Sequence, residues 1–289
     1  MDGTFGVTLF YNKKMKLGFI GTGKIASSVI TGICTSKISF NKIIISQRNR
    51  SIAKNLKQKF KKVIIAKDNQ QIVDKCDWIF LAVTPTVGEK IIKDLKFRSM
   101  QTVISFISTI TLSQLKKAIK VKAKIVRAIP LPPISLKKGP VPICPPNKKV
   151  KAFFDKVGTT VEIKNEKLSI NFWSTSGMMA PFYQLLSSMT DWLVKRGVKR
   201  DNAQKYITSL FLALSEDAVI NSKKDLKYLV KESQTPKGLN EQGVKKIELM
   251  MEEGINKLNA INPVLANRIE YKKSLIDIPQ LVESIRRSL

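Results

Sequence analysis

Short apolar runs separated by helical patterns characterise the first half of this chain. The runs are rich in Ile, Val, Leu and Phe and lie at residues 16–20, 42–46, 61–66, 78–83, 102–106 and 124–128. Strands that are apolar on both faces are typical of a parallel sheet covered by helices on both sides. The pattern therefore predicts an α/β fold, a doubly wound parallel sheet of the Rossmann type.

Apolar positions recur at helical spacing in the second half. Such stripes lie at residues 182–193, 207–218 and 244–258. In the middle stripe Leu212 and Ala213 widen the apolar face, which is typical of a helix buried on more than one side. The sequence thus predicts an all-α dimerisation domain after the sheet domain.

The change of pattern predicts a domain boundary near residues 164–167, after a strand at 160–163. We expect a Rossmann domain over residues 15–165 and a helical domain over residues 166–289. Residues 1–14 are interpreted as a disordered or artefactual extension.

The composition is that of a globular protein, with 289 residues, 43% hydrophobic and 25% charged. No apolar run approaches the roughly 18 residues that span a bilayer, and the first residues make a poor secretory signal. The three cysteines stand far apart without a C-x-x-C pair, which indicates neither disulfides nor zinc. We therefore expect a reduced, cytoplasmic protein without a membrane partner.

The net charge of +29 raises the question of nucleic-acid binding. The lysines are spread along the chain, however, and no aromatic residues are interleaved with a basic stripe, as single-strand binders require. We predict no nucleic-acid partner and expect the charge to attract anionic small molecules.

Histidine is absent from the chain. This excludes a His general base, a His-containing triad and His metal ligands, and we predict no metal site. Any chemistry must rest on other side chains or on a cofactor.

A glycine-rich turn joins the first predicted strand to a helix. Its residues are Gly21-Thr22-Gly23-Lys24-Ile25-Ala26. In a strand–turn–helix context, the first Gly permits the tight turn, the second lets the backbone approach a pyrophosphate, and the small Ala26 allows close packing. The helix N-terminus then faces the phosphates. The turn predicts a dinucleotide site.

The end of the second strand indicates which dinucleotide is bound. NAD-binding proteins place an acid there for the ribose 2′-hydroxyl, whereas this chain has Ser46-Gln47-Arg48-Asn49-Arg50. Ser46 and Arg48 suit a 2′-phosphate, so NADPH is the predicted cofactor and NADH a less favoured one. The alternative is that Arg48 is one more surface cation of a basic protein.

From Met15 to Asn267 the chain resembles the pyrroline-5-carboxylate reductase family. The matching motifs are residues 18–26, 68–69, 76–85, 103–112, 127–133, 177–182 and 235–240. The sequence departs from the family pattern at Thr84, where the family has Lys, at Leu131, where it has Asn, and at Asn240, where it has Thr.

The resemblance implies a set of cofactor-binding residues at the ends of the predicted strands. These are Gly21, Thr22, Gly23, Lys24, Ile25, Ser46, Arg48, Asn69, Ala82, Val83, Thr84, Pro85 and Ser108.

A Pro-Gly turn in the second half carries the implied substrate site. In the resembled family its backbone N–H groups hold the substrate carboxylate, and its last residue bonds the imine nitrogen. The implied substrate-binding residues are Lys237, Gly238, Leu239 and Asn240, with Asn240 in the catalytic position. An amide can donate a hydrogen bond where a hydroxyl did. The alternative is a helix–helix connection in which Asn240 caps the next helix.

The resemblance implies an NADPH-dependent reductase of a cyclic imino acid, pyrroline-5-carboxylate to proline, in proline biosynthesis. In that family the helices interleave between subunits, so a homodimer or higher homo-oligomer is expected. Because the substrate motifs are altered, two alternatives stay open. One is an NADP-dependent reductase of another imine or oxo acid, and the other is a non-catalytic NADP-binding paralogue.

Overall fold

The structure, a computed structural model, describes residues 14–244. The chain divides into two compact units, residues 1–173 and 174–289, which we call the sheet unit and the helical unit. The boundary predicted after residue 165 falls shortly before this division. Residues 1–13 of the extension predicted at 1–14, the tail after Asn267 and most of the third helical stripe lie outside the described residues.

One eight-stranded sheet forms the centre of the sheet unit, in the order β3-β2-β1-β4-β5-β6-β7-β8. Only the β6–β7 pairing is antiparallel among the pairs of this sheet. The strands are β1 Leu17–Ile20, β2 Ile43–Ile45, β3 Val63–Ile65, β4 Trp78–Leu81, β5 Thr102–Ser105, β6 Lys124–Ala128, β7 Pro140–Cys144 and β8 Thr159–Glu162. The order 3-2-1-4-5-6 is that of dinucleotide-binding domains, and it confirms the predicted Rossmann-type sheet.

The apolar pattern did not predict strand β7. Its sequence carries Pro140 and Pro142, and proline normally argues against a strand with neighbours on both sides. The carbonyl of Pro142 nevertheless accepts the Ile129 N–H at 3.2 Å, so the strand is joined to the chain that follows β6.

Helices connect the strands and form the helical unit. They are α1 Lys24–Cys34, α2 Arg50–Lys59, α3 Asn69–Lys75, α4 Pro85–Asp94, α5 Leu112–Ile119, α6 Lys148–Phe154, α7 Ser169–Thr175, α8 Met179–Val194, α9 Arg200–Ile220 and α10 Lys227–Glu232. Short 3₁₀ turns span Pro132–Leu136, Glu166–Leu168 and Ser176–Met178. A further helical stretch begins at Leu239 and reaches the end of the described residues.

The core of the sheet unit lies on both faces of the sheet. On one face Phe19 stacks on Phe80, with ring centroids 4.4 Å apart and planes at 8°. This face packs against α1 and α6 and the other against α3, α4 and α5. Both faces of each central strand are therefore buried, which explains the unbroken apolar runs in the sequence.

The helical unit buries much less of its apolar surface. Among the residues of α9, only Ala203 and Ile207 are buried. Large side chains of this helix stay exposed, including Leu212, Leu214, Val219 and Ile220. Between residues 14 and 244 no helix has the length and apolar character to cross a membrane.

Candidate dinucleotide site

A cleft of about 630 Å³ opens at the carboxyl edge of the sheet, where the strand order reverses between β1 and β4. Open α/β sheets bind their ligands at this point. The cleft is lined by Gly21, Thr22, Gly23, Arg48, Asn49, Arg50, Ser51, Ala82, Val83 and Thr84. Three loops thus meet there, those that follow β1, β2 and β4.

The absence of a side chain matters for different reasons at the two glycines of the turn, Gly21 and Gly23. Gly21 has a φ of +102°, and a Cβ there would lie 2.3 Å from the carbonyl oxygen of Ala82. Gly23 has an ordinary φ of −84°, and a Cβ there would meet no atom within 4 Å. Gly21 is thus needed for the fold of the turn. Gly23 leaves open space on the cleft side, where a bound ligand can approach the backbone.

The start of α1 suits a phosphate group. Gly23 is the N-cap of this helix and makes no side-chain capping bond, and the first turn contains no acid. The first N–H groups of a helix carry partial positive charge and bind anions. The cleft therefore fits the pyrophosphate of a dinucleotide. Lys24 and Ile25 are the first two residues of α1.

Thr22 and Ser46 hold the turn in place from behind. Both side chains are nearly fully buried. The Ser46 hydroxyl accepts the Gly21 N–H at 2.9 Å and lies 3.0 Å from the Thr22 hydroxyl, which also donates to the Ser46 carbonyl. The Ser46 hydroxyl was expected to contact a 2′-phosphate. In the structure this hydroxyl positions the glycine turn, and its contact with a 2′-phosphate stays a prediction.

The cationic side of the cleft lies at the start of α2. Arg48 and Arg50 are exposed there, and the first turn of α2 contains no acid. Asn49 caps the helix, since its carboxamide oxygen accepts the Ile52 N–H at 3.3 Å and the Ser51 hydroxyl at 3.0 Å. Two guanidinium groups beside a helix N-terminus suit a phosphate ester. Arg50, Asn49 and Ser51 were not among the predicted site residues. The sequence signal that could have identified them is Asn49, because Asn directly before a helical pattern is a common N-cap.

The loop after β4 supplies the opposite wall. Ala82, Val83 and Thr84 line the cleft, and Pro85 begins α4 with Thr84 as the N-cap. The Ala82 N–H donates to the Ile20 carbonyl at 2.8 Å, which ties this wall to β1.

Asn69 and Ser108 lie elsewhere at the same edge of the sheet. Asn69 is the first residue of α3, after β3, and Ser108 lies in the loop between β5 and α5. Neither is among the residues that line the cleft. A cofactor role for either therefore stays a prediction.

The Pro-Gly turn of the helical unit follows α10 and leads into the next helical stretch, as the sequence predicted. Lys237 has a φ of +62°, and the Gly238 N–H donates to the Thr235 carbonyl at 2.8 Å. The Asn240 side-chain N–H donates to the Ser233 carbonyl at 2.7 Å. Asn240 thus closes the turn onto the end of α10.

A carboxylate already contacts this turn. The Lys237 N–H donates to Glu241 Oε2 at 2.6 Å. The resemblance implies that backbone N–H groups of this turn hold a substrate carboxylate, and the Glu241 contact is a local example of such an interaction. Asn240 and Leu239 are exposed. The catalytic assignment of Asn240 stays a prediction.

Within the described part of the chain no group of three or more acidic or Cys side chains is placed to hold a metal ion.

Two family models match the chain, one in each half. Residues 16–109 match the family described as NADP oxidoreductase coenzyme F420-dependent. Residues 169–259 match the pyrroline-5-carboxylate reductase dimerisation family. The first match contains the glycine turn and the loops after β2 and β4, and the second contains α8, α9 and the Pro-Gly turn.

Individual relatives and structures agree with these matches. A pyrroline-5-carboxylate reductase of Synechocystis is 27% identical over 212 residues, which are 70% of this chain and 78% of that protein. The Coxiella burnetii enzyme of that name has a TM-score of 0.70 at 20% identity, over 96% of this chain and 98% of its own. The Plasmodium falciparum pyrroline carboxylate reductase with NADP bound has a TM-score of 0.68 at 21% identity, over 96% and 97%. At these identities the structural matches establish the fold.

Proposed function

We propose that this chain, which belongs to the pyrroline-5-carboxylate reductase family, is an NADPH-dependent reductase that converts pyrroline-5-carboxylate to proline. The observation that carries the proposal is the cleft at the β1–β4 reversal. It combines a glycine turn, an uncapped helix start and two arginines, with no acid in the first turn of α1 or α2.

The cleft residues divide between two parts of the cofactor. The turn at Gly21–Gly23 and the start of α1 bind the pyrophosphate through backbone N–H groups. Arg48 and Arg50 bind the 2′-phosphate that distinguishes NADPH from NADH, with α2 adding its N-terminal partial charge. When bound, the cofactor supplies a hydride from its nicotinamide ring.

The substrate side of the proposal rests on the Pro-Gly turn. In this proposal the substrate carboxylate takes the place of Glu241 at the Lys237 N–H, and the second side-chain N–H of Asn240 donates to the nitrogen of the neutral imine. The imine nitrogen is protonated before the carbon of the C=N bond receives the hydride, and the protonated nitrogen then donates its N–H to the Asn240 side-chain oxygen. A cyclic imine is basic enough to be protonated in solution part of the time. No histidine base is therefore needed.

The apolar face of α9 supports a homodimer as the working form. Val219 and Ile220 are 72% and 80% exposed in the single chain, together with Leu212 and Leu214 on the same helix. Large apolar side chains exposed along one helix in this number mark an interaction surface. The match of this region to a dimerisation family supports a second copy of the chain as the partner.

The test is NADPH oxidation by the purified full chain with pyrroline-5-carboxylate, with proline identified as the product. Asn240→Ala is expected to lower kcat/KM by about ten- to a hundredfold, the usual cost of a hydrogen bond to a charged group. NADPH affinity should stay nearly unchanged, because the cofactor cleft lies on the sheet unit. Asn221→Ala is the matched control, since Asn221 also donates its side-chain N–H to a backbone carbonyl at a helix end.

Two outcomes contradict parts of the proposal. Wild-type protein that binds NADPH without oxidising it in the presence of pyrroline-5-carboxylate contradicts the substrate assignment. If Asn240→Ala loses about 1 kcal/mol of stability with unchanged kinetics, Asn240 only closes the turn.

A second candidate is reduction of a different cyclic imine or an oxo acid. The departures at Leu131 and Asn240 favour it, because the resembled family has Asn and Thr at these positions of its substrate motifs. A panel of small cyclic imines and 2-oxo acids with NADPH separates this candidate from the first. A protein that binds NADPH and reduces none of them is the non-catalytic paralogue.

A further inference from the structure

A buried arginine lies beside the last residue of β5. Arg127 in β6 pairs in register with Ser105 and is 3% exposed. Its Nη1 atom forms an ion pair with Glu166, and its Nη2 atom donates to the carbonyl of Ser108. The guanidinium also stacks on the Trp173 ring, 4.3 Å from the ring centroid. A charged group is buried only when it is paired, so this arrangement needs each of these partners.

The partner carboxylate makes a second contact. Glu166 Oε1 also accepts the N–H of Leu112, the first residue of α5, at 2.8 Å. Burial lowers the pKa of the Arg127 guanidinium, and the hydrogen bond and charge of Glu166 oppose this shift.

Both contacts fasten the same loop. Residues 106–111 join β5 to α5. Arg127 holds the loop at the Ser108 carbonyl, and Glu166 holds its end at the Leu112 N–H. Glu166 belongs to the 3₁₀ turn after β8, far along the chain, so two distant segments fix the position of this loop.

The loop at residues 106–111 follows β5, on the side of the sheet that corresponds to the nicotinamide half of a bound dinucleotide. A dinucleotide spans the two halves of a 3-2-1-4-5-6 sheet, with the adenosine ribose at the end of β2. Arg48 and Arg50 mark that side. The nicotinamide half therefore lies over β4 and β5, whose carboxyl ends this loop borders.

We propose that Arg127 and Glu166 are positioning residues that hold the loop at 106–111 against the nicotinamide half of the cofactor. The proposal rests on NADPH being the bound dinucleotide. The Arg127 side chain is 3% exposed, and its Nη atoms contact Glu166 and the Ser108 carbonyl. Arg127 and Glu166 act through the backbone of the loop.

The test compares two ligands in direct binding. NADPH contains both halves of the cofactor, whereas adenosine 2′,5′-bisphosphate contains the adenosine half alone. Glu166→Ala should raise the Kd of NADPH about tenfold, the scale of effect that a small misplacement produces. The Kd of adenosine 2′,5′-bisphosphate should change by less than about twofold, because Arg48 and Arg50 are untouched.

Two conservative variants guard against loss of folding. Glu166→Gln keeps a carbonyl oxygen that accepts from both Leu112 and Arg127, so it should retain the wild-type ratio of the two Kd values. Arg127→Lys keeps the charge but has one ammonium group in place of a planar fork, so it loses the Ser108 bond and should raise the ratio. Asp155→Ala breaks the exposed ion pair with Lys151 and is the matched control.

The proposal is overturned if every folded variant keeps the wild-type ratio, or if both ligands weaken equally. The experiment measures binding alone, so it also tests the role of Arg127 and Glu166 in a protein that binds NADPH but does not reduce pyrroline-5-carboxylate. That result would contradict the proposed reaction, and the ratio of the two Kd values would still test the positioning of the loop.

Discussion

The sheet unit and the helical unit differ in how far a single chain completes them. In the sheet unit the apolar side chains of both faces are covered by helices of the same chain. In the helical unit α9 is 21 residues long and buries only Ala203 and Ile207, while several large apolar side chains stay exposed. The sheet unit thus covers its apolar surface within one chain, whereas the helical unit leaves large apolar side chains of α9 exposed.

The same difference extends to the two proposed sites. The cofactor cleft is built from loops fixed by buried hydrogen bonds, such as the Ser46–Gly21 contact. The Pro-Gly turn is exposed, and its Lys237 N–H group meets the carboxylate of a neighbour, Glu241. Loops at the ends of strands of one chain form the cofactor cleft. The exposed Pro-Gly turn needs additional protein surface around it to enclose a substrate.

The largest expected effect comes from the two glycines of the turn. Gly21→Ala forces a Cβ to 2.3 Å from the Ala82 carbonyl at a φ of +102°, so we expect a loss of about 3 kcal/mol or more in the free energy of unfolding. Gly23→Ala meets no atom within 4 Å and should change stability by about 1 kcal/mol or less. It should nevertheless weaken NADPH binding by about tenfold, because the methyl group occupies the phosphate position.

Thermal unfolding and NADPH titration of both variants check this contrast. If Gly21→Ala is as stable as the wild type, the turn is not fixed by the contact with Ala82. If Gly23→Ala binds NADPH normally, the pyrophosphate does not lie against this backbone.

The next largest effect concerns the face of α9. Leu212 and Val219 are seven residues apart and share a side of the helix. The double substitution Leu212→Asp and Val219→Asp should raise the dimer dissociation constant by about a hundredfold or more, because it buries two carboxylates in an apolar interface. Sedimentation velocity over a concentration series measures this.

Lys57→Asp is the control for that experiment, since it changes the net charge by the same amount at an exposed position of α2. A double variant that sediments as the wild type does would show that α9 is not the interface. A wild-type protein that is monomeric at micromolar concentration would contradict the dimer itself.

The smallest of these effects is a change of cofactor preference. Arg48→Asp removes a guanidinium from the cleft and places an acid where NAD-binding proteins have one. We expect the ratio of NADH to NADPH dissociation constants to fall by about tenfold or more, since a charge-assisted hydrogen bond to phosphate is lost. Lys54→Asp makes the same change of charge at an exposed position of α2 and should leave the ratio unchanged. Equal binding of both cofactors by the wild type would contradict the NADPH assignment.

The local pattern of the sequence predicted the cofactor half well. The apolar runs predicted the first six strands, and the glycine turn predicted the cleft between β1 and β4. These features depend on a few adjacent residues, because strand periodicity and a positive φ at Gly21 are local properties. Asn49 was equally local as a helix cap but was not singled out.

Features set by distant residues were not predicted. Strand β7 contains two prolines and is identified only by its pairing with β6 and β8. The hydroxyl of Ser46 accepts the N–H of Gly21, which stands 25 residues earlier, and no local pattern indicates this contact. Such contacts depend on packing that residue types alone do not reveal.

The sequence by itself determined the Rossmann sheet, the glycine turn, the absence of histidine and the apolar stripe of α9. These follow from composition and periodicity, which act over a few neighbouring residues. Only the tertiary structure decided that Arg127 is buried against Glu166, 39 residues further along, and that this pair fastens the loop after β5. The physical reason is that a buried charge must find its partner in space, and the chain brings these two segments together only when the sheet has formed.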